Sequence, residues 1–269
     1  MLNIKTISYK IKFLEEIVFK EEPEIAFFKA IYKRLKNILC INSEKDCKNC
    51  PHSSKCLYSY LSAKDFQCIS SMPIIVHKPL FSNRGMKAND ILDLKFTFLG
   101  DSIKHIDFID FILKEFEARG LFREKHKFAI INRYIDQANI LEDHGKINGI
   151  KILTPIDRKD NIFKAEREKL DNLNKLYNIT DKSIDLIDRP YEFKAIKFKI
   201  TNPLHIGSNK LVLEGYVGTV KFIEPITKSY LLDIINVIGA GEFYALGGGT
   251  IEFYKYDKEN AINKVHPYT

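Results

Sequence analysis

Cysteine is almost absent outside one short stretch of this 269-residue chain. Four of its five cysteines, Cys40, Cys47, Cys50 and Cys56, fall within seventeen residues as C-x6-C-x2-C-x5-C, and only Cys68 lies elsewhere. Residues 1 to 20 also lack an apolar run of secretory or membrane-spanning length, because Lys5, Lys10, Lys12, Glu15, Glu16 and Lys20 interrupt them. A secreted, disulfide-built domain is therefore not expected, and a cytoplasmic protein with reduced thiols and no membrane contact is. Two nucleotide-binding signatures are missing as well. No Gly-Lys-Ser/Thr follows the glycines near the carboxyl end, and those glycines do not join a strand to the start of a helix. No short tandem repeat is present.

What is present begins with the cysteines. Thiolates this close suit a tetrahedral metal site, with Cys47 and Cys50 turning tightly enough to place two sulfurs on one ion. Structural zinc is the expected occupant. An iron–sulfur cluster is the alternative, since Cys50-Pro51 matches the Cys-Pro step of some cluster motifs, and disulfides or a chance cluster are the remaining readings. The charge balance, with 42 Lys and Arg against 35 Asp and Glu, leaves a net +7 that favours a polyanionic partner, nucleic acid first.

Hydrophobic periodicity supplies the fold. Tyr9, Ile11 and Phe13 alternate with Lys10 and Lys12 as a half-buried strand, and Pro23 opens a helix with Ile25, Phe28, Ile31, Leu35 and Ile38 on one face. Lys29, Lys33 and Lys36 lie on its other face. After the cysteine loop come extended runs at 74–80 and 91–99, a helix from Asp101 or Ser102 to Gly120, and a strand at 127–134. That order is β-α-β-β-α-β, the ferredoxin-like arrangement. The expected class is α+β, with two ferredoxin-like, RRM-like domains in tandem. The first spans 1–156 and carries the metal loop at 40–56. A charged insertion or linker fills 157–190, with a modest helical stretch at 163–176. The second domain, 191–269, has alternation beginning at Ala195, strands near 216–222 and 250–254, and a helix near 229–238; its own first helix is reduced or lost.

The last helix is followed by Gly239-Ala240-Gly241, five residues, Gly247-Gly248-Gly249 and an Ile-x-Phe strand. Glycines there bring backbone N–H groups close to phosphates, or simply let a helix and a strand pack closely. This run resembles the carboxyl-terminal signature of the RAMP superfamily of CRISPR-associated proteins, and within it the chain is most similar to the precursor-crRNA-processing endoribonucleases. Cys47, Cys50 and Cys56-Leu57-Tyr58 resemble the cysteine motif of one branch of that family. Phe98-Leu99-Gly100-Asp101, Asn202-Pro203-Leu204-His205-Ile206 and Gly215-Tyr216-Val217-Gly218 follow in the family's order. Two departures stand out: Glu242 sits in a loop that is often basic, and His205 takes a place where Arg is expected.

The resemblance implies cleavage of CRISPR repeat RNA without a metal, by attack of a ribose 2′-hydroxyl on the adjacent phosphate. The products are a 2′,3′-cyclic phosphate and a 5′-hydroxyl. It places a histidine just after the first helix, where His52 stands, with Tyr32 and Lys36 as helpers; His77 and His105 are reserves. The alternative is a non-catalytic subunit that grips guide RNA among the other subunits of a CRISPR effector complex. Candidate RNA contacts are Arg84 and Lys87 in a turn, the cation and ring of Arg133-Tyr134, and Gly239, Gly241, Gly247, Gly248 and Gly249.

Overall fold

The computed structural model describes residues 2–40, 47, 49–124, 126–138, 145–199, 204–206, 209–212 and 214–254. Its first sheet contains β1 (Ile4–Phe13), β2 (Ile74–His77), β3 (Ile91–Leu99) and β4 (Phe128–Gln137), ordered β2-β3-β1-β4 and antiparallel throughout. Helices α1 (Pro23–Leu39) and α2 (Ile106–Arg119) connect β1 to β2 and β3 to β4. Odd-numbered β1 residues Ile7, Tyr9, Ile11 and Phe13 are buried beneath these helices, as period-2 alternation requires. Pro23 occupies the first turn of α1, where its missing N–H costs nothing, and Phe27, Phe28, Ile31, Tyr32 and Leu35 form the inward stripe. Phe27 meets Phe128 edge-on at 5.3 Å, tying α1 to β4.

The second sheet repeats this plan. It is built from β5 (Ile147–Ile156), β6 (Tyr191–Lys199), β7 (Glu214–Ile226) and β8 (Ile251–Tyr254), in the order β8-β5-β7-β6. Helix α3 (Ile162–Tyr177) lies between β5 and β6 in the chain, and α4 (Tyr230–Ile238) between β7 and β8. Both four-stranded sheets thus have the strand order of the ferredoxin-like β-α-β-β-α-β pattern.

Two expectations need correction. The charged segment 157–190 is not a linker: it holds α3, whose Ile162, Phe163, Leu170, Leu173 and Tyr177 are buried, with Phe163 against Tyr191 and Phe222 at 5.3 and 5.4 Å. The second unit is therefore not reduced, and it begins before residue 156, because Ile150 and Ile152 on β5 pair with both β7 and β8. Pairing across the sheet, rather than local charge, decides where the unit starts.

The two sheets are joined by polar contacts at main-chain oxygens. Tyr177 donates its hydroxyl to Ser71 O at 2.6 Å and Tyr244 to Met72 O at 2.7 Å, while Asn3 N reaches Ile179 O at 2.7 Å. Short ladders pair Ile17–Val18 with Gly85–Met86 and Leu204–Ile206 with Asn209–Leu211. Among the described residues no helix is long and apolar enough to cross a membrane.

Candidate nucleic-acid interface

The even-numbered residues of β1 leave by the face opposite the helices. Thr6, Ser8 and Lys10 stand in register with Thr97, Lys95 and Asp93 on β3 and with Asp136, Tyr134 and Asn132 on β4. One end of this face is closed. There His77 Nε2 hydrogen-bonds Thr97 Oγ1 at 2.7 Å, and Thr97 in turn meets Thr6 Oγ1 at 2.6 Å. Burial first, then the charge of Lys95, pushes the His77 imidazole down to about 4, so it is neutral at pH 7. The other end is open, with Lys10, Lys95 and Asn132 exposed beside a half-buried Tyr134. Cations flanking an aromatic ring on a sheet surface suit single-stranded RNA. Arg133, predicted to act with Tyr134, points the other way: its guanidinium Nε donates to Asp110 Oδ1 at 2.8 Å, and its Nη2 pairs with the same carboxylate. Tyr9 adds a 2.6 Å bond to Asp110 from within the core. Arg133 is thus tied to α2 and separated from Tyr134 by the pleat.

At the carboxyl end of α1 the predicted helpers divide. Tyr32, expected as a helper, is buried in the core and donates its hydroxyl to Leu61 O at 2.8 Å. Lys36 is partly exposed and holds Asp65 at 2.8 Å; Tyr58 donates to the other oxygen of that buried carboxylate at 2.5 Å. Burial opposes the charge on Lys36, but Asp65 and then Cys47 and Cys40 hold its pKa above the usual lysine value. Burial pushes the Cys47 thiol up to about 11; Asp65 adds to this, Lys36 opposes it, and Cys56 and Cys40 act in the same direction as Asp65. Cys40 and Cys56 therefore each lie within electrostatic reach of Cys47. Among the described residues no three His, Cys, Asp or Glu side chains stand at metal-holding distance, and residues 41–46 and 48 of the cysteine loop fall outside those described. His52 is exposed at the start of the one-turn helix Ser53–Lys55 and makes no capping bond. His105 packs between Tyr60 at 6.2 Å and Phe108 at 6.0 Å, and burial followed by Lys104 lowers its pKa.

The glycine loop is folded against the chain itself. Gly239 N donates to Ile235 O, Gly247 N to Tyr244 O, Gly248 N to Phe243 O, and Gly249 N to the carbonyls of Thr154 and Pro155. Gly241 N donates to Glu166 Oε1 at 2.6 Å and Glu242 N to Asp157 Oδ1 at 2.9 Å. All five glycine amides already have acceptors, two neighbouring carboxylates would repel a phosphate, and the expected phosphate cradle is not formed. Lys169 completes the arrangement: it pairs with Glu166 at 2.5 Å, donates to Gly241 O at 3.0 Å and stands 4.8 Å from the Tyr244 ring centroid. Glu166 and Lys169 were missed from sequence because both lie in the segment taken for a linker. Arg84 is exposed near Glu22 at 3.6 Å and Lys20 O at 3.3 Å, with Lys87 exposed in the same hairpin.

Comparison with solved structures gives a Cas6 product complex at a TM-score of 0.52 and 11% identity, covering 94% of this chain and all of that one. A partial Cas6-RT-Cas1–Cas2 complex aligns at 0.54 and 10% identity over 96% of this chain and 47% of that one. At such identity the likeness concerns the fold, and the fold is that of Cas6. Curated proteins give no match. Residues 2–151, more than half of the chain, match the family described as AF_1859_N, N-terminal domain, and the chain belongs to that family.

Proposed function

We propose that the protein binds and cleaves CRISPR repeat RNA, as the precursor-crRNA-processing endoribonucleases do. The observation that carries this reading is the exposed Lys10, Lys95 and Asn132 beside the half-buried Tyr134 on the open face of the first sheet, in a chain with the Cas6 fold. Lysines neutralise phosphates while the ring takes an unstacked base. The chemistry is an in-line attack of a 2′-hydroxyl on its own 3′-phosphate. A base removes the 2′-hydroxyl proton, cations oppose the charge growing on the phosphorane, and the departing 5′-oxygen gains a proton, leaving a 2′,3′-cyclic phosphate. His52 is our candidate for the proton transfer. It is exposed and lies within the cysteine loop, between Cys50 and Cys56.

The four cysteines in this reading brace that loop on a metal. Cys40 and Cys47 both act electrostatically on Lys36, Cys56 acts on Cys47, and Cys50 supplies the fourth sulfur of the motif. The donor set fits zinc, with an iron–sulfur cluster as the alternative. The ion's part is to hold the loop, and no step of the cleavage passes through it.

A second reading, a guide-RNA-binding subunit without catalysis, is favoured by the engaged glycine amides and the buried Tyr32. End-labelled repeat RNA incubated with pure protein in EDTA separates the two. Site-specific scission leaving a cyclic phosphate supports the first; tight, sequence-selective binding without scission supports the second. Indifference to the repeat sequence overturns both.

A further inference from the structure

On the helix side of the first unit, away from the open sheet face, a groove of about 740 Å³ runs along α1. The short hairpin of the second unit closes one wall, bringing exposed His205 across while Ile206, 1% exposed, anchors it. The cations of α1 are unequally committed. Lys29 pairs with Glu21 at 2.7 Å, Arg34 grips Glu115 through two 2.8 Å bonds, and Lys36 holds Asp65. Lys33 is exposed and has no ion-pair partner among the described residues. The paired cations fix the wall, and Lys33 remains with His205 to meet an anion.

The same groove has an aromatic component. Phe116 and Phe122 line it, and Phe122 is 44% exposed on a backbone with φ of 54°, a conformation that a bulky residue seldom adopts. Its ring is held edge-on to Phe19 at 6.3 Å and to His126 at 6.2 Å, so it is braced from two directions while much of its surface stays open. An exposed ring on strained backbone beside an uncommitted lysine is a combination that core packing does not require.

We propose that this groove is a subsite for one unpaired nucleotide, the base lying on Phe122 against Phe116 and its phosphate meeting Lys33 and His205. Charge complementarity selects the occupant: a nucleotide presents both a π-face for the rings and an anion for Lys33 and His205, and a groove of about 740 Å³ is ample for one. The inference builds on the RNA-binding reading and adds a second contact surface on the opposite side of the first sheet.

The test uses the full chain and a single-stranded RNA tetranucleotide carrying one 4-thiouridine. The expected crosslink maps to the peptide containing Phe122, and Lys33→Glu and Phe122→Ala each weaken tetranucleotide binding about tenfold, the scale of one lost stack or phosphate contact. Lys33 is exposed, so its variant decides the matter if Phe122→Ala fails to fold. A tetranucleotide that does not bind, or that crosslinks only to first-sheet strands while both variants bind normally, overturns the subsite. If the tetranucleotide binds in the groove but repeat RNA is neither bound nor cut, the subsite stands and the repeat-processing function falls.

Discussion

Gly247 lies so close to Lys78 that a Cβ on the glycine would come within 2.6 Å of the lysine Cγ and 3.0 Å of its backbone nitrogen. The contact joins the glycine loop of the second unit to the chain just beyond β2 of the first. It explains why glycine is needed here even though the loop's amides face inward: close approach of two backbones, together with a φ of +79°, leaves no room for a side chain.

Gly247→Ala is therefore expected to destabilise the protein by about 1–3 kcal/mol, the range for a non-glycine residue held in the left-handed region with added crowding. Gly145→Ala provides the comparison, because Gly145 has φ of +65° but, among the described residues, nothing within 4 Å of the position a Cβ would take. Chemical denaturation of both variants should show the larger loss at Gly247. Equal losses would mean that the loop's approach to Lys78 contributes nothing beyond backbone conformation.

How much of this was legible depended on where polar residues sat. The first unit reads cleanly because α1 and β1 keep their apolar periods unbroken. In α3 the inward stripe runs Phe163, Glu166, Leu170, Leu173, Tyr177, and a carboxylate in second place disguises it as a solvated helix. Glu166 is tolerated there because Lys169, one turn further along the helix, and the Gly241 amide both meet it, and the second of these contacts spans 75 residues and so is invisible to a local reading. β5 is hidden by Gly149 and Pro155, which look like breakers, yet Gly149 is a close-approach position: a Cβ on it would lie 2.1 Å from Val220 O. Among the site residues, Lys36 does line a groove, whereas the engagement of Arg133 with Asp110 and of Tyr32 with Leu61 depends on tertiary contacts.

His77 gives a pH prediction. Its folded-state pKa, near 4, lies below the ordinary value near 6.5, so the unfolded chain binds a proton that the folded chain refuses between those limits. Stability from this group is complete above about pH 6.5 and is lost as pH falls toward 4, a change on the order of 3 kcal/mol. His77→Gln keeps a donor for Thr97 and removes the titration. Unfolding free energies measured from pH 7 to 4.5 should fall more steeply for the natural protein than for the variant. Parallel curves would show that the imidazole is not desolvated.

The cysteine loop gives a compositional one. Protein purified without oxygen should carry about one zinc per chain, whereas strong absorbance at roughly 400 nm with bound iron would identify the cluster alternative. Cys50→Ser should reduce metal content and lower the melting temperature, since a structural site adds its binding free energy to folding. A chain free of zinc and iron that melts as the loaded one does rejects the metal.

The catalytic prediction rests on His52. Removing a general acid or base commonly slows the chemical step by about 10²- to 10⁴-fold, so His52→Ala should slow single-turnover cleavage of repeat RNA by at least about a hundredfold. Binding should change little, because phosphate contacts from lysines dominate affinity for RNA. Metal content must match that of the natural protein, so that a collapsed cysteine loop is not read as lost chemistry. His77→Gln and His105→Ala are the comparison. Their imidazoles are engaged, one with Thr97 and the other between Tyr60 and Phe108, and neither substitution should approach the effect at His52. Natural-rate cleavage by His52→Ala beside a slow His77→Gln would move the proton transfer to the closed end of the first sheet's face, where His77 meets Thr97. If all three variants cut at the natural rate, the proton moves without these imidazoles, and our assignment of His52 is wrong.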